Sequence, residues 1–210
     1  MPPDGVEKKL LVQHQPLILA SASPRRRDLL HDLGLQFDIV QAAVEEEAVA
    51  GESPADFACR LAAEKARVVA DEHLDSWVLA ADTIVVRGDG IVLGKPGDGR
   101  EACSMLRSLA GCRHEVMTAY SLVNRQQEVF ITRIDRTGVV MTALTEEMIS
   151  AYVATGEPMD KAGSYALQGI GGAFVAAVDG AHSTVIGLPL HRVLVDLLAM
   201  EIVRVGCHDE

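Results

Sequence analysis

The chain has 210 residues, 49% hydrophobic and 4% aromatic, and a formal net charge of −11 from 30 acidic and 19 basic side chains. Length and apolar content suffice for one large or two small domains with a sizeable core, and the low aromatic share suits an α/β protein whose helices pack closely on a sheet. The charge excludes a broad nucleic-acid or anionic-membrane surface, because either needs clustered cations. No apolar stretch approaches the ~20 residues of a membrane span and Met1 to Gln15 lacks the apolar centre of a signal peptide, so a cytoplasmic protein is expected. Cys59, Cys103, Cys112 and Cys207 show no CxxC or zinc-like spacing and read as reduced, structurally incidental thiols.

Residues 1–15 read as a polar N-terminal leader, 16–206 as a single domain and 207–210 as a C-terminal tail. The apolar run Leu17-Ile18-Leu19-Ala20 predicts a strand, and Arg27 to Leu33 the helix that follows it. Between them stands Ser21-Ala22-Ser23-Pro24-Arg25-Arg26. Ser23 is a good N-cap and Pro24 a good first helical residue, which leaves backbone N–H groups and the positive end of the helix dipole facing whatever docks there. Arg25 and Arg26 add forked donors suited to phosphate oxygens. The bland alternative is a capped helix with a solvated basic first turn, although cations at that end have the wrong sign for the dipole.

Gly34 reads as a C-cap before a short strand around Phe37 to Val40, and acid follows in Val44-Glu45-Glu46-Glu47. Ser53-Pro54 opens a second helix with Phe57, Ala58, Leu61, Ala62, Val68 and Val69 on one stripe. Lys65 falls inside that stripe, four residues after Leu61 and seven after Ala58. It either snorkels at the stripe's edge or reaches over the sheet toward a phosphate.

Trp77 to Arg87 and Ile91 to Leu93 predict two strands joined at Gly88-Asp89-Gly90. Asp82 interrupts a run apolar enough to be buried on both faces, so its carboxyl is protonated, hydrogen-bonded or bound to a cation. A self-satisfied structural Asp at a strand end is the alternative. The segment Gly90 to Pro96 resembles a P-loop, but only three residues separate its glycines and Pro96 replaces the magnesium-binding Ser or Thr. What survives is Lys95, a second candidate phosphate ligand.

Asp98 with Glu101 predicts a third helix through Met105, Leu106 and Leu109 to Gly111. Two long strands follow, at His114 to Val123 and Glu128 to Met141, then a helix from Thr145 to near Gly156 that Pro158 stops. The glycine-rich stretch Gly163 to Gly172 precedes a strand over Phe174 to Val178, and a last helix follows Leu188-Pro189. Residues 157–169 place charged and amide groups in a loop of the kind that holds ligands, though Asp160 and Lys161 could equally face solvent. No HExxH or GxSxG occurs, which argues against nucleophilic serine catalysis. One mixed α/β domain, with two lobes about a cleft, is the economical reading.

Taken together, Ser21-Ala22-Ser23-Pro24-Arg25-Arg26, Ala81-Asp82-Thr83, Leu93-Gly94-Lys95-Pro96, Glu157-Pro158-Met159-Asp160-Lys161-Ala162-Gly163 and Gly187-Leu188-Pro189 resemble the Maf family of nucleoside triphosphate pyrophosphatases, also known as septum formation inhibitors. The resemblance implies an inosine-triphosphatase-like α/β fold with a long mixed sheet, flanking helices, two lobes around a deep cleft, and in many members a homodimer. It implies hydrolysis of a nucleoside triphosphate to the monophosphate and pyrophosphate with a divalent metal, Mg²⁺ or Mn²⁺. The proton-accepting aspartate falls on Asp82 and the phosphate positions on Ser21, Arg25, Arg26, Lys65 and Lys95, with Ser23 supplying the neighbouring hydroxyl. The second acid, a metal ligand with Asp82, matches best at Glu45, with Glu46 and Glu47 as alternative registers. Arg25, Thr83 and Gln168 match the branch acting on dTTP and UTP, and the branch acting on 7-methyl-GTP differs at all three. The Gln168 amide could pair with the O4 acceptor and N3–H donor of thymine or uracil, with Thr83 helping to fix its orientation. Ala166 stands where Gly is usual, and Ser183-Thr184 replaces the commoner Ser-Asn. A nucleotide-binding regulator of septum formation without turnover, and an enzyme of the inosine triphosphate type, are the rival readings.

Overall fold

The computed structural model describes residues 10–206. Strands β1 (Leu11–Gln13) and β2 (Leu17–Leu19) lead into helix α1 (Pro24–Asp32), β3 (Asp38–Ile39), α2 (Pro54–Ala70), β4 (Trp77–Val86) and β5 (Val92–Leu93). After them come α3 (Gly99–Leu109), β6 (Arg113–Asn124), β7 (Val129–Met141) and α4 (Glu146–Ala154). Short 3₁₀ turns at Glu157–Asp160, Ala162–Ser164 and Ile170–Phe174 precede β8 (Val175–Asp179), α5 (His182–Ile186), α6 (Leu190–Ala199) and β9 (Val203–Val205). The main sheet runs β3-β2-β4-β6-β7-β8, with β5 also paired to β4. Its β2 pairings with β3 and β4 are parallel and the other pairings antiparallel, so the sheet is mixed, as expected. No described helix is long and apolar enough to cross a membrane.

The apolar run of β4 fixes the layering, because alternate side chains leave opposite faces. Ala80 and Val78 point with Ala66 and Val69 of α2, and Ile84 packs with Ala58 and Ala62 of the same helix. The other face is divided. Trp77, Leu79 and Ala81 join Leu30 of α1 and Val193 and Leu197 of α6, whereas Val85 joins Leu106 of α3 and Ile149 of α4. Thr83 lies between these two cores, which are the two lobes. On the free side of β4, β2 pairs with residues 77–79 and β5 with residues 85–86. The edge of β4 between them carries no described strand. The sheet is therefore notched at Asp82 and Thr83.

Three helix caps form as their sequences predict: the Ser53, Asp98 and Thr145 side chains accept from Asp56, Glu101 and Met148 backbone N–H groups. Elsewhere the structure corrects the reading. β1 pairs antiparallel with β9, so residues 11–13 belong to the fold and not to a leader; residues 1–9 and 207–210 lie outside the described residues. Val68 is 44% exposed, because it and Val69 sit about 100° apart on the helix and only Val69 reaches the core. α5 falls in a stretch without helical periodicity and has no sequence-level counterpart.

Candidate active site

The notch opens into a cleft of about 670 Å³. Ser21, Ser23, Arg25 and Arg26 reach it from the turn and first helical residues after β2, Asp82 and Thr83 from β4, Lys65 from α2, Lys95 from beyond β5, and Gln168 from the glycine-rich loop. Glu45 is not among the lining residues, and Glu46 is. Of the three glutamates that the sequence offers as the second acid, Glu46 is the one that lines the cleft.

At the floor, Lys65 Nζ lies 2.7 Å from Asp82 Oδ1 and 2.6 Å from Glu46 Oε1, with Lys95 Nζ 3.8 Å from Glu46 Oε2. Asp82 and Lys65 are nearly enclosed, with side chains 10% and 12% exposed. Lys65 thus neither snorkels outward nor stands free; it bridges two carboxylates. Burial pushes the Glu46 carboxyl up, but the Lys65 hydrogen bond and the charges of Lys65, Lys95 and Arg26 outweigh it and hold the group below its ordinary value.

Arg26 is fixed by three partners. Its Nε donates to Gly187 O (2.8 Å), Nη1 to Ser21 Oγ (3.1 Å) and Nη2 to Thr83 Oγ1 (3.0 Å). A guanidinium carries five N–H bonds, so two remain for a ligand in the cleft. Burial pulls its pKa down and Arg25 adds to this, while Asp82 and Glu46 oppose it. Arg25 spans the mouth, 3.7 Å from Asp160 on the opposite wall. Ser23 has the extended backbone of an N-cap, but its side chain makes no capping bond. Instead its N–H donates to Ser21 Oγ at 3.2 Å, and no capping side chain takes the N–H groups of the first turn of α1.

Thr83 lines the cleft, as expected, and is also tied to its neighbours. Its hydroxyl accepts from Arg26 and bonds Thr118 Oγ1 at 3.0 Å, so it is engaged inside the protein. Gln168 is exposed, and its amide has no hydrogen-bond partner among the described residues.

Two further residues shape the cleft without an isolated sequence signal. Glu157, singled out only as part of a charged loop, accepts from Ile170 N (3.1 Å), Gly171 N (3.0 Å) and Tyr152 Oη (2.9 Å), and so ties down the glycine-rich loop. A Cβ at Gly172 would come 2.3 Å from Leu167 O, which is why that fold of the loop needs glycine there. His114 is buried on β6, and its Nε2 lies 2.7 Å from the hydroxyl of Tyr165, a lining residue. Burial lowers the His114 pKa to about 4. The two departures are absorbed: Ala166 is buried in the wall, and Thr184 Oγ1 donates to Asp135 Oδ2 at 2.7 Å.

Among the described residues no three His, Cys, Asp or Glu side chains come together as a metal cage. Asp82 and Glu46, joined through Lys65, form a two-carboxylate set, which fits Mg²⁺ as it is usually bound, with substrate phosphates and waters completing the octahedron.

A mixed α/β sheet notched to gather two carboxylates with Arg25, Arg26, Lys65 and Lys95 is the architecture of a protein that handles phosphoanhydrides. The chain belongs to the Maf-like protein family, whose model matches residues 16–200. It is 48% identical over 181 residues to the dTTP/UTP pyrophosphatase of Geobacter sulfurreducens, covering 86% of this chain and 94% of that one. The enzyme of the same name from Anaeromyxobacter dehalogenans is 51% identical over 177 residues, covering 83% and 88%. Among solved structures, a HAM1 protein from Coxiella burnetii is similar with a TM-score of 0.47 and 15% identity, covering 87% of this chain and all of that one.

Proposed function

We propose that this protein hydrolyses dTTP and UTP to the nucleoside monophosphate and pyrophosphate, acting on nucleotide pools in the cytoplasm. The observation that carries the reading is the Asp82–Lys65–Glu46 cluster opening onto Arg25, Arg26 and Lys95, in a chain about half identical to enzymes of that name.

Cleaving an α–β phosphoanhydride demands neutralised phosphate charge and an aimed water, with little covalent work from the protein. A divalent cation, Mg²⁺ or Mn²⁺, would be held by Asp82 and Glu46 and would supply phosphate neutralisation and a polarised water. Asp82 orients the water and takes its proton as the water oxygen bonds to the α-phosphorus. The bridging P–O bond breaks, and pyrophosphate leaves with the bonding pair. Arg26, held rigidly with two N–H bonds to spare, stabilises the growing charge, while Arg25 and Lys95 bind the outer phosphates from the mouth. Lys65 passes from carboxylate to phosphate as the triphosphate enters, because the incoming anion competes for the same ammonium. At the base end, the unengaged Gln168 amide matches the O4 acceptor and N3–H donor of thymine and uracil. Cytosine presents the opposite polarity at its amino group, so its rejection requires a neighbour that holds the amide in the orientation suited to thymine and uracil.

Pyrophosphate release measured over a nucleotide panel with Mg²⁺ and with Mn²⁺ tests this reading. The expected order puts dTTP and UTP well ahead of CTP, ATP, GTP and 7-methyl-GTP. Equal or faster turnover of 7-methyl-GTP or ITP would overturn the substrate assignment.

A further inference from the structure

Thr83 and Thr118 face each other across β4 and β6, and the proton count of their hydroxyls fixes which way the chain of hydrogen bonds runs. Thr118 is fully buried, and its Oγ1 lies 2.7 Å from the carbonyl oxygen of Thr184. A carbonyl only accepts, so the single Thr118 proton is committed there. The 3.0 Å bond between the two threonines must then be donated by Thr83. That turns the Thr83 lone pairs toward Arg26 Nη2, a group that only donates. Thr184 is itself held: its hydroxyl donates to Asp135 Oδ2, and Asp135 Oδ1 accepts from Arg192 Nε at 2.7 Å. A continuous path therefore runs from α6 through β7, α5, β6 and β4 to the guanidinium in the cleft.

We propose that Thr118, which touches no ligand, is a positioning residue for Arg26: it holds the Thr83 hydroxyl as an acceptor and thereby aims the two remaining Arg26 N–H bonds at the substrate phosphates. Without the Thr118 hydroxyl, the Thr184 carbonyl loses its donor and the Thr83 proton loses its acceptor. The Thr83 hydroxyl is then free to turn its proton against Arg26. On this account position 83 influences the reaction through the arginine it holds and not by contact with the base. The proposal rests on the reading of Arg26 as a phosphate ligand.

The test compares Thr118→Val, which keeps the shape without the hydroxyl, with Thr118→Ser, which keeps the hydroxyl. Two assays are read: calorimetric affinity for inorganic pyrophosphate, and steady-state kinetics giving kcat and KM for dTTP. Thr118→Val should weaken pyrophosphate binding and lower kcat/KM by about tenfold, the scale of one broken buried hydrogen bond, and Thr118→Ser should stay within about twofold of wild type. On an Arg26→Ala background the same Val substitution should cost less than about twofold, since its effect passes through the missing guanidinium. Should the Val variant fail to fold, Thr118→Ala is read by the same criteria. Wild-type behaviour of the hydroxyl-less variant, or an equal loss with and without Arg26, overturns the proposal. Wild-type protein that turns over no nucleotide sinks the proposed activity, while the pyrophosphate titrations still judge Thr118.

Discussion

Lys65→Met removes the cation that joins Asp82 to Glu46 and keeps most of the side chain's apolar length and its helix propensity. Asp82 is then a nearly enclosed carboxylate, 10% exposed at its side chain, with the edge of β4 on one side and α2 above it. Removing one partner of a buried pair costs about 3–5 kcal/mol, because it strands the other charge. The cleft admits some water, which puts the expected loss at the low end, roughly 3 kcal/mol, or about 6–12 °C in melting temperature for a domain of this size. The penalty belongs to the stranded charge, so Lys65→Met with Asp82→Asn should be less destabilised than Lys65→Met alone. Millimolar Mg²⁺ or Mn²⁺ should raise the stability of Lys65→Met more than that of wild type, since the carboxylates are no longer occupied by the ammonium. Urea unfolding at pH 7, with chelator and then with metal, measures all three. A Lys65→Met protein within about 1 kcal/mol of wild type, or a double variant no more stable than the single, would refute the reasoning.

Asp82→Asn keeps the shape of the carboxyl but loses its charge and basicity, so turnover of dTTP should fall below a few per cent of wild type with nucleotide binding retained; a faster variant excludes Asp82 as the base. His114 should make folding stability depend on pH. Its folded pKa of about 4 lies below the ordinary value of 6.5, so between those values the unfolded chain binds the extra proton. The stabilisation is complete above about pH 6.5 and is lost as pH falls toward 4, by up to about 3 kcal/mol. Unfolding free energies at pH 7.0, 6.0 and 5.0 should show this decline, and His114→Gln should flatten it; an unchanged slope in the variant rules His114 out as the cause.

Much of this site is legible in the sequence because its residues violate local expectation. Asp82 stands inside a run of apolar strand residues, and Lys65 inside the apolar stripe of α2; each anomaly is explained by the other at 2.7 Å. Ser53, Asp98 and Thr145 announce their helices because a cap is a contact over three residues. The features that escape are those decided by distant partners. Three consecutive glutamates after β3 carry no periodicity, and only the positions of Lys65 and Lys95 select Glu46. The Thr83 hydroxyl is spoken for by Arg26, 57 residues away, and Thr118, 35 residues away. β1 is recognisable only through β9, near the other end of the described chain. Ser23 looks like an ordinary cap in sequence, but Ser21 two residues earlier supplies the bond to its N–H.

Attack of water on the α-phosphorus puts the water oxygen in the monophosphate and lets pyrophosphate leave intact. Turnover of dTTP in ¹⁸O-labelled water, followed by mass spectrometry of both products, tests it most directly. One labelled oxygen in thymidine monophosphate and none in pyrophosphate is the expected result. Label in pyrophosphate, release of single phosphates, or no turnover at all would contradict it.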